Sequence, residues 1–312
     1  MTQANPPHSL TRTVRLATTA LSSVIPPSNG LIGVGAPSGL AAIGELEIEV
    51  VGRPADSGYL IDITALDRAV RAAAAGRFAA AMQEEAASGR ETDVPALVAA
   101  IALACLESLP VRVRRLTYRP SPFRTCSTTL TAANPTEAPD MSADTPSANP
   151  AAAPSPETSQ PETSQPGTFR SETFRPETLL TETFEFAAAH RLHLPALSDD
   201  DNRRLFGKCN NPNGHGHNYR IEVGVTPVGD GAHPGIGFPA LERVVAREVM
   251  DRFDHKHLNL DCPEFRDLNP SVENIARVCH DLLAPALAAE RGALRFVRVW
   301  ETEKTSCRYP AE

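Results

Sequence analysis

The sequence lacks a long hydrophobic run, since no window approaches ~18 uncharged apolar residues. We therefore predict no membrane-spanning helix. Residues 2–27 also lack the basic start and apolar centre of a secretion signal, because Thr and Ser interrupt Leu16–Ile25. These two absences lead us to expect a soluble cytoplasmic protein with no membrane association.

The sequence also lacks closely spaced cysteine pairs and an excess of positive charge, and its first half has few histidines. The six cysteines form no Cys-x-x-Cys pair and no dense framework, so we predict reduced thiols rather than disulfides. The net charge of -8 argues against a nucleic-acid partner. Eight of the nine histidines lie after residue 180, and the ninth is His8. Metal chemistry is therefore predicted only in the second half of the chain.

One internal segment has few apolar residues. Residues 127–180 consist mainly of Pro, Ala, Ser, Thr and Glu, and they include a five-residue repeat that begins at Pro156 and Pro161. Such a composition cannot bury enough apolar surface to offset the entropy of ordering. We predict a disordered linker over residues 127–180, between a first domain at 11–126 and a second at 181–312. Whether this linker binds a partner is left open.

What is present is a repeated order of elements on either side of that linker. The first half reads as strand, strand, helix, helix, strand, with strict alternation of apolar residues along Glu45–Val50. The second half follows the same order. Short stretches also match in sequence, such as Ala65–Val70 with Ala240–Val245 and Ile48–Val50 with Ile221–Val223. An internal duplication explains these matches better than chance.

The chemistry of the second half centres on Cys209–Tyr219. Within it, His215 and His217 are two residues apart, and side chains two apart on a strand point to one face. Two imidazoles on one face supply half of a zinc site. His190 ends the preceding strand-like run and is the natural third ligand, which would complete the arrangement typical of catalytic zinc. Cys209 remains open between a catalytic thiol, a fourth ligand in a closed structural site and an inert side chain.

Five separated motifs then occur in order at sensible spacings, namely Phe184–His190, Cys209–Tyr219, Asp254–Asn259, Asn269–Asn274 and Val299–Thr302. Together they closely resemble the 6-pyruvoyltetrahydropterin synthase family, which includes the bacterial 6-carboxytetrahydropterin synthases of queuosine synthesis. The resemblance covers about residues 180–310. It implies an α+β fold in which each T-fold domain is a four-stranded antiparallel sheet with two helices on one face. With the duplication, we expect two tandem T-fold domains. Members of the family form toroidal homo-oligomers by closing several sheets into a barrel.

The resemblance also implies the roles of site residues. It implies Zn²⁺ held by His190, His215 and His217, with Cys209 as the catalytic base. The substrate implied is 7,8-dihydroneopterin triphosphate, and loss of triphosphate would give 6-pyruvoyltetrahydropterin. The spacing of five residues between Cys209 and His215 looks like this pyruvoyl-forming branch. The carboxy-forming branch uses the same substrate, so the product stays open. A non-catalytic pterin-binding scaffold is the alternative of another class.

The remaining roles fall on three later motifs. Asp254 and His255 match the family's acid/base pair, and Glu301 matches the carboxylate that anchors the pterin ring. Ser271 and Glu273 match a second pterin-contacting motif, in which Thr is more usual than Ser. A larger departure from the family is that two residues appear to be missing in the segment 235–239, before the first helix of this half.

The first half is interpreted as a degenerate copy without catalytic residues. Alignment along Ile48 and Ile221 places residues without suitable chemistry opposite the three histidines, Cys209 and Glu301, namely Ala20, Ala42, Gly44, either Gly35 or Ala36, and Thr117. No Asp-His pair follows the first helix. The apolar pattern of strands and helices persists. We therefore expect the copy to serve in assembly.

Overall fold

The computed structural model describes residues 7–19, 41–55, 57–132, 174–230 and 233–311. The first half contains four strands and two long helices, in the order β1 (His8–Thr19), β2 (Ala41–Gly52), α1 (Ile63–Ser88), α2 (Val94–Ser108), β3 (Arg112–Ser121) and β4 (Arg124–Ala132). The sequence pattern predicted this order but did not predict β4.

The second half repeats the plan with additional short elements. Its strands are β5 (Phe174–His190), β6 (His215–Pro227), β7 (Lys256–His257), β8 (Gly292–Thr302) and β9 (Thr305–Tyr309). Its helices are α3 (Asp199–Phe206), α4 (Phe238–Val245), α5 (Asp251–Phe253), α6 (Leu258–Asp261) and α7 (Val272–Ala289). A π-helical turn, Ala246–Met250, joins α4 to α5, so the three form one continuous helical run.

All nine strands of the described residues belong to one sheet. Their order is β1-β2-β3-β4-β5-β6-β8-β9, with neighbours antiparallel, and the short β7 runs parallel to the far end of β5. The two halves meet at β4 and β5, whose register runs from Arg124 opposite Glu182 to Ala132 opposite Phe174. The α+β class and the antiparallel sheet are confirmed. The expected separation into two four-stranded sheets is not observed, because β4 and β5 join them edge to edge.

The junction also corrects the predicted linker. Residues 127–132 lie in β4 and residues 174–180 lie in β5, so the prediction of disorder over 127–180 is wrong at both ends. These strands tolerate a polar composition because threonines pair across them. The Thr125 and Thr181 hydroxyls lie 2.6 Å apart, and those of Thr128 and Thr178 lie 3.0 Å apart. Residues 133–173, with the repeat, lie outside the described part of the chain.

The helices pack on one face of the sheet. In β2, Leu46, Ile48 and Val50 are fully buried, whereas the intervening glutamates are not. In β6, Ile221 and Val223 are fully buried in the same way. This alternation follows from the two-residue period of a strand with one covered face. None of the helices in the described segments has the length and apolar character needed to cross a bilayer.

Candidate metal and catalytic site

Three imidazoles meet where β5 ends and β6 begins. His190 is the last residue of β5 and lies directly opposite His215, the first residue of β6. The ring centroids are 4.7 Å apart for His190 and His215, 5.1 Å for His190 and His217, and 4.7 Å for His215 and His217. The structure therefore brings together the three histidines that the sequence proposed as metal ligands.

The surroundings of His190 determine which of its nitrogens can bind a metal. Its Nδ1 lies 2.8 Å from the carbonyl oxygen of Pro270. A carbonyl only accepts, so Nδ1 carries the proton and Nε2 presents a lone pair. Burial lowers the pKa of His190 to about 4, and the neighbouring imidazoles act in the same direction. This ring is therefore neutral at physiological pH, as a metal ligand must be.

The histidine cluster contains ring nitrogens that suit a cation. Nε2 of His217 is buried and has no hydrogen-bond partner in the described part of the chain. Nε2 of His190 and Nε2 of His215 lie 3.3 Å apart. Buried nitrogens without partners are costly unless something binds them. Imidazole nitrogens are common ligands of Zn²⁺, so the donor set fits this metal.

Cys209 and Glu301 lie on two sides of the same cluster. The Cys209 thiol lies in a set with His190 and His215 whose ligand atoms are all within 4.8 Å of one another. The Glu301 carboxylate forms a second set of this kind with His190 and His217. Its Oε1 is 3.5 Å from Nε2 of His190 and 3.8 Å from Nε2 of His217. Both side chains are thus close enough to act on a ligand bound at the histidines.

The pKa of the Cys209 thiol is raised above its ordinary value by burial and by the charge of Glu301. The side chain is therefore a thiol rather than a thiolate in the metal-free protein. A nearby cation would favour its ionised form.

Asp254 and His255 lie beside the last residues of β5. Strand β4 pairs with β5 only as far as Glu182, so it does not cover this part of the edge. Asp254 Oδ1 accepts a hydrogen bond of 2.8 Å from the backbone N–H of Ala187, which holds the pKa of this carboxyl below its usual range. Its Oδ2 is 2.9 Å from Nδ1 of His255. His255 has a positive φ of 57°, an uncommon conformation for a non-glycine residue and one often found at functional sites.

The imidazole of His255 is 82% exposed and lines a cleft of about 710 Å³ together with His217. Within the described residues, no hydrogen bond joins Cys209 to Asp254 or His255.

Ser271 and Glu273 lie at the start of α7. The Ser271 hydroxyl caps this helix by accepting from the N–H of Asn274 at 3.4 Å. Glu273 is exposed in the first turn, where a carboxylate suits the helix dipole. These structural roles account for both residues, and their contact with substrate stays a prediction.

Sequence reasoning missed the residues that support the histidines. Pro270 orients His190 through its carbonyl, and the Tyr219 hydroxyl lies 3.2 Å from the same Nδ1. The Asn259 side chain accepts from the N–H of Arg191 and donates to its carbonyl, which fixes the chain just after His190. Pro270 and Asn259 belong to motifs visible in the sequence. Their roles were not visible because each depends on a backbone group, the carbonyl of Pro270 itself and the N–H and carbonyl of Arg191 for Asn259.

The corresponding region of the first half has different chemistry. In the first half Thr18 pairs with Ala42, and in the second His190 pairs with His215. Since Ala42 corresponds to His215, Thr18 corresponds to His190. The expected alignment of Ala20 with His190 is therefore wrong by two residues. Glu47 pairs with Thr117 in the first half, and Arg220 pairs with Trp300 in the second. Thr117 therefore corresponds to Trp300, and the next residue, Tyr118, corresponds to Glu301.

Tyr118 occupies space beside Gly44, the counterpart of His217. A Cβ atom at Gly44 would lie 2.7 Å from Cε2 of this tyrosine. The Phe78 ring, with its centroid 5.0 Å from that of Tyr118, packs on the same tyrosine. Tyr118 thus stands at the position of Glu301 and fills the space beside the counterpart of His217.

Comparison with known proteins finds matches in the second half of the chain. The family model described as 6-pyruvoyl tetrahydropterin synthase matches residues 179–312. The 6-pyruvoyl tetrahydrobiopterin synthase of Homo sapiens is 41% identical over 128 residues, which are 41% of this chain and 87% of that protein. That of Drosophila melanogaster is 37% identical over 125 residues, covering 40% of this chain and 74% of that protein.

A solved structure of Caenorhabditis elegans 6-pyruvoyl tetrahydropterin synthase is 32% identical, with a TM-score of 0.39. The match covers 43% of this chain and 95% of that one.

Proposed function

The chain belongs to the 6-pyruvoyl tetrahydropterin synthase family, and we propose that it converts 7,8-dihydroneopterin triphosphate to 6-pyruvoyltetrahydropterin with loss of triphosphate. The observation that carries this proposal is that the Cys209 thiol lies in one group with His190 and His215, and the Glu301 carboxylate in a second with His190 and His217, each with its ligand atoms within 4.8 Å of one another. A site for binding alone would need the carboxylate and the cluster but no thiol.

The proposed metal is Zn²⁺, held by His190, His215 and His217. When bound, zinc would supply Lewis acidity toward the side-chain hydroxyls of the substrate and lower the pKa of a nearby thiol. Cys209 is proposed to take the proton from the carbon that carries a hydroxyl. A positioned acid or base of this kind typically contributes ~10²–10⁴-fold to the rate.

The other residues are proposed to orient the substrate and exchange protons with it. Glu301 would pair with two N–H groups on the guanidine-like edge of the pterin, as a carboxylate accepts two parallel hydrogen bonds. His255, oriented through Nδ1 by Asp254, would donate protons to the substrate or accept them from it. Ser271 and Glu273 are proposed as weaker contacts to the same ring.

The test is to incubate the purified full-length protein with 7,8-dihydroneopterin triphosphate and to identify the product by mass. Release of triphosphate with formation of 6-pyruvoyltetrahydropterin is the expected result. Formation of 6-carboxytetrahydropterin would move the protein to the carboxy-forming branch. Tight binding without turnover would instead support the pterin-binding scaffold.

We further propose that the first half is a degenerate copy retained for assembly into a homo-oligomeric ring. Two observations support this proposal. Its strands and helices repeat the order of the second half, while Tyr118 fills the space beside Gly44, the counterpart of His217. In the sheet of the described residues, β1 and β9 are the outer strands, and their unpaired edges could join those of other copies.

A further inference from the structure

We propose that Arg124, a residue of the first half, is a positioning residue for the site in the second half. Arg124 is the first residue of β4 and lies directly opposite Glu182 of β5. It is therefore located where the two halves join. The proposal rests on the proposed function of the site, but its structural part can be tested without turnover.

The guanidinium of Arg124 binds two carboxylates of the second half at once. Its Nε donates to Glu182 Oε1 at 2.5 Å, and its Nη2 donates to Glu242 Oε2 at 2.8 Å. Its Cζ lies 5.5 Å from the centroid of the Phe238 ring. A planar guanidinium can form this two-pronged contact, whereas a single ammonium group cannot reproduce its geometry.

Glu182 depends on this contact because its side chain is only 5% exposed. Its second oxygen, Oε2, is buried without a hydrogen-bond partner in the described residues. Burial raises the pKa of Glu182, and Arg124 opposes that shift. A buried carboxylate with one cationic partner holds that partner in a defined place, since losing it would leave an uncompensated charge.

The two carboxylates belong to the two elements that carry the site. Glu182 lies on β5, the strand that ends at His190. Glu242 lies in α4, whose helical run continues through the π-helical turn and α5 to Asp254. Arg124 therefore ties the strand of a metal ligand to the helix that leads into the acid/base pair. It holds these elements at a fixed spacing from the first half.

This contact has no counterpart at the outer edges of the sheet. Ile48 pairs with Arg12 as Ile221 pairs with Phe184, which makes Leu10 the counterpart of Glu182. Leucine cannot form an ion pair, so a contact of this kind is excluded at the other edge of the sheet. The contact of Arg124 with the two carboxylates is therefore specific to the pairing of β4 with β5.

The experiment compares Arg124→Met, Arg124→Lys and the double variant Arg124→Met/Glu182→Gln with the unmodified full chain. Arg119→Met is the matched control, because Arg119 pairs with Glu47 within the first half. Two readouts are needed. The first is hydrogen exchange in peptides covering residues 183–190 and 251–257, and the second is kcat and KM for 7,8-dihydroneopterin triphosphate.

In Arg124→Met we expect faster exchange in both peptides and a fall in kcat of about 10-fold to 100-fold, with KM changed much less. Arg124→Lys retains the charge and should fold, yet it should show the same pattern to a smaller extent. The double variant should regain thermal stability, because the buried charge of Glu182 is gone. It should not regain kcat, because the contact of Arg124 with Glu242 is still missing. Arg119→Met should match the unmodified protein in both readouts.

Recovery of kcat together with stability in the double variant would show that Arg124 acts on stability alone and would overturn the proposal. So would unchanged exchange in both peptides of Arg124→Met. If the unmodified chain lacks turnover, the proposed function fails, and the exchange measurement still decides whether Arg124 positions the two elements.

Discussion

The two nitrogens of His190 have different partners, and this makes it the central residue of the site. Nδ1 faces the Pro270 carbonyl, while Nε2 faces His215 at 3.3 Å. A histidine oriented in this way by a carbonyl is typical of metal sites, where the second partner fixes the tautomer and the direction of the ligand atom. The proposed metal binding therefore depends on the orientation that the Pro270 carbonyl gives to His190.

Replacing His215 by Ala should abolish stoichiometric metal binding. Two imidazoles would remain, and zinc sites in enzymes normally use three protein ligands. We expect well under one zinc per chain, measured by atomic emission, and no turnover. His233→Ala is the matched control, because this histidine is exposed and pairs with Asp230 away from the cluster. Full zinc content in His215→Ala would contradict the assignment.

Cys209→Ala should separate the catalytic thiol from a structural ligand. We expect this variant to keep its zinc and to bind pterin, while kcat falls ~10²–10⁴-fold because a proton-transfer group is lost. Metal content and kcat should be measured on the same preparation. Cys307→Ala is a suitable control, since this thiol is also partly exposed but lies on β9. A Cys209→Ala protein that loses its zinc would make the thiol a ligand.

At the scale of elements, the sequence predicted the helices and strands in which the apolar residues follow a regular period and are buried. Helix α7 was predicted at Val272–Leu287 and is observed at Val272–Ala289, because its buried residues follow the helical period. Strand β4 was missed because its apolar alternation is interrupted, since the buried position between Cys126 and Leu130 is a threonine, Thr128. Its pairing with β5 joins segments far apart in sequence, and local periodicity carries no information about such a partner.

The turn before β6 provides a test of how tightly the site is enclosed. Gly214 has a φ of +70°, and a Cβ atom there would lie 2.6 Å from His257 Nε2 and 3.0 Å from the carbonyl oxygen of His190. Gly58 has a φ of +81° with nothing within 4 Å. The left-handed conformation costs a non-glycine residue about 1–2 kcal/mol, so both glycines share this term.

We therefore expect Gly58→Ala to lose about 1–2 kcal/mol of unfolding free energy, with zinc affinity unchanged. Gly214→Ala should lose more stability and also bind zinc more weakly, because His190 and His257 must move to make room. Chemical denaturation and competition with a zinc chelator measure the two quantities. Equal zinc affinity in the two variants would mean that the turn does not set the position of His190.

At the scale of the whole molecule, the halves share a sheet, and the second half depends on the first for a covered edge. Without β4, residues 174–182 of β5 would present unpaired backbone groups, which favour aggregation or incorrect pairing. Glu182 would also lose Arg124.

We therefore expect the fragment 174–312 to aggregate or to form assemblies of the wrong mass, with little turnover. Light scattering after size exclusion and the lyase assay measure these properties. Adding a separately purified fragment 1–132 should restore both by supplying β4 in trans. A fragment 174–312 that assembles and turns over like the full chain would show that the first half is not part of the ring.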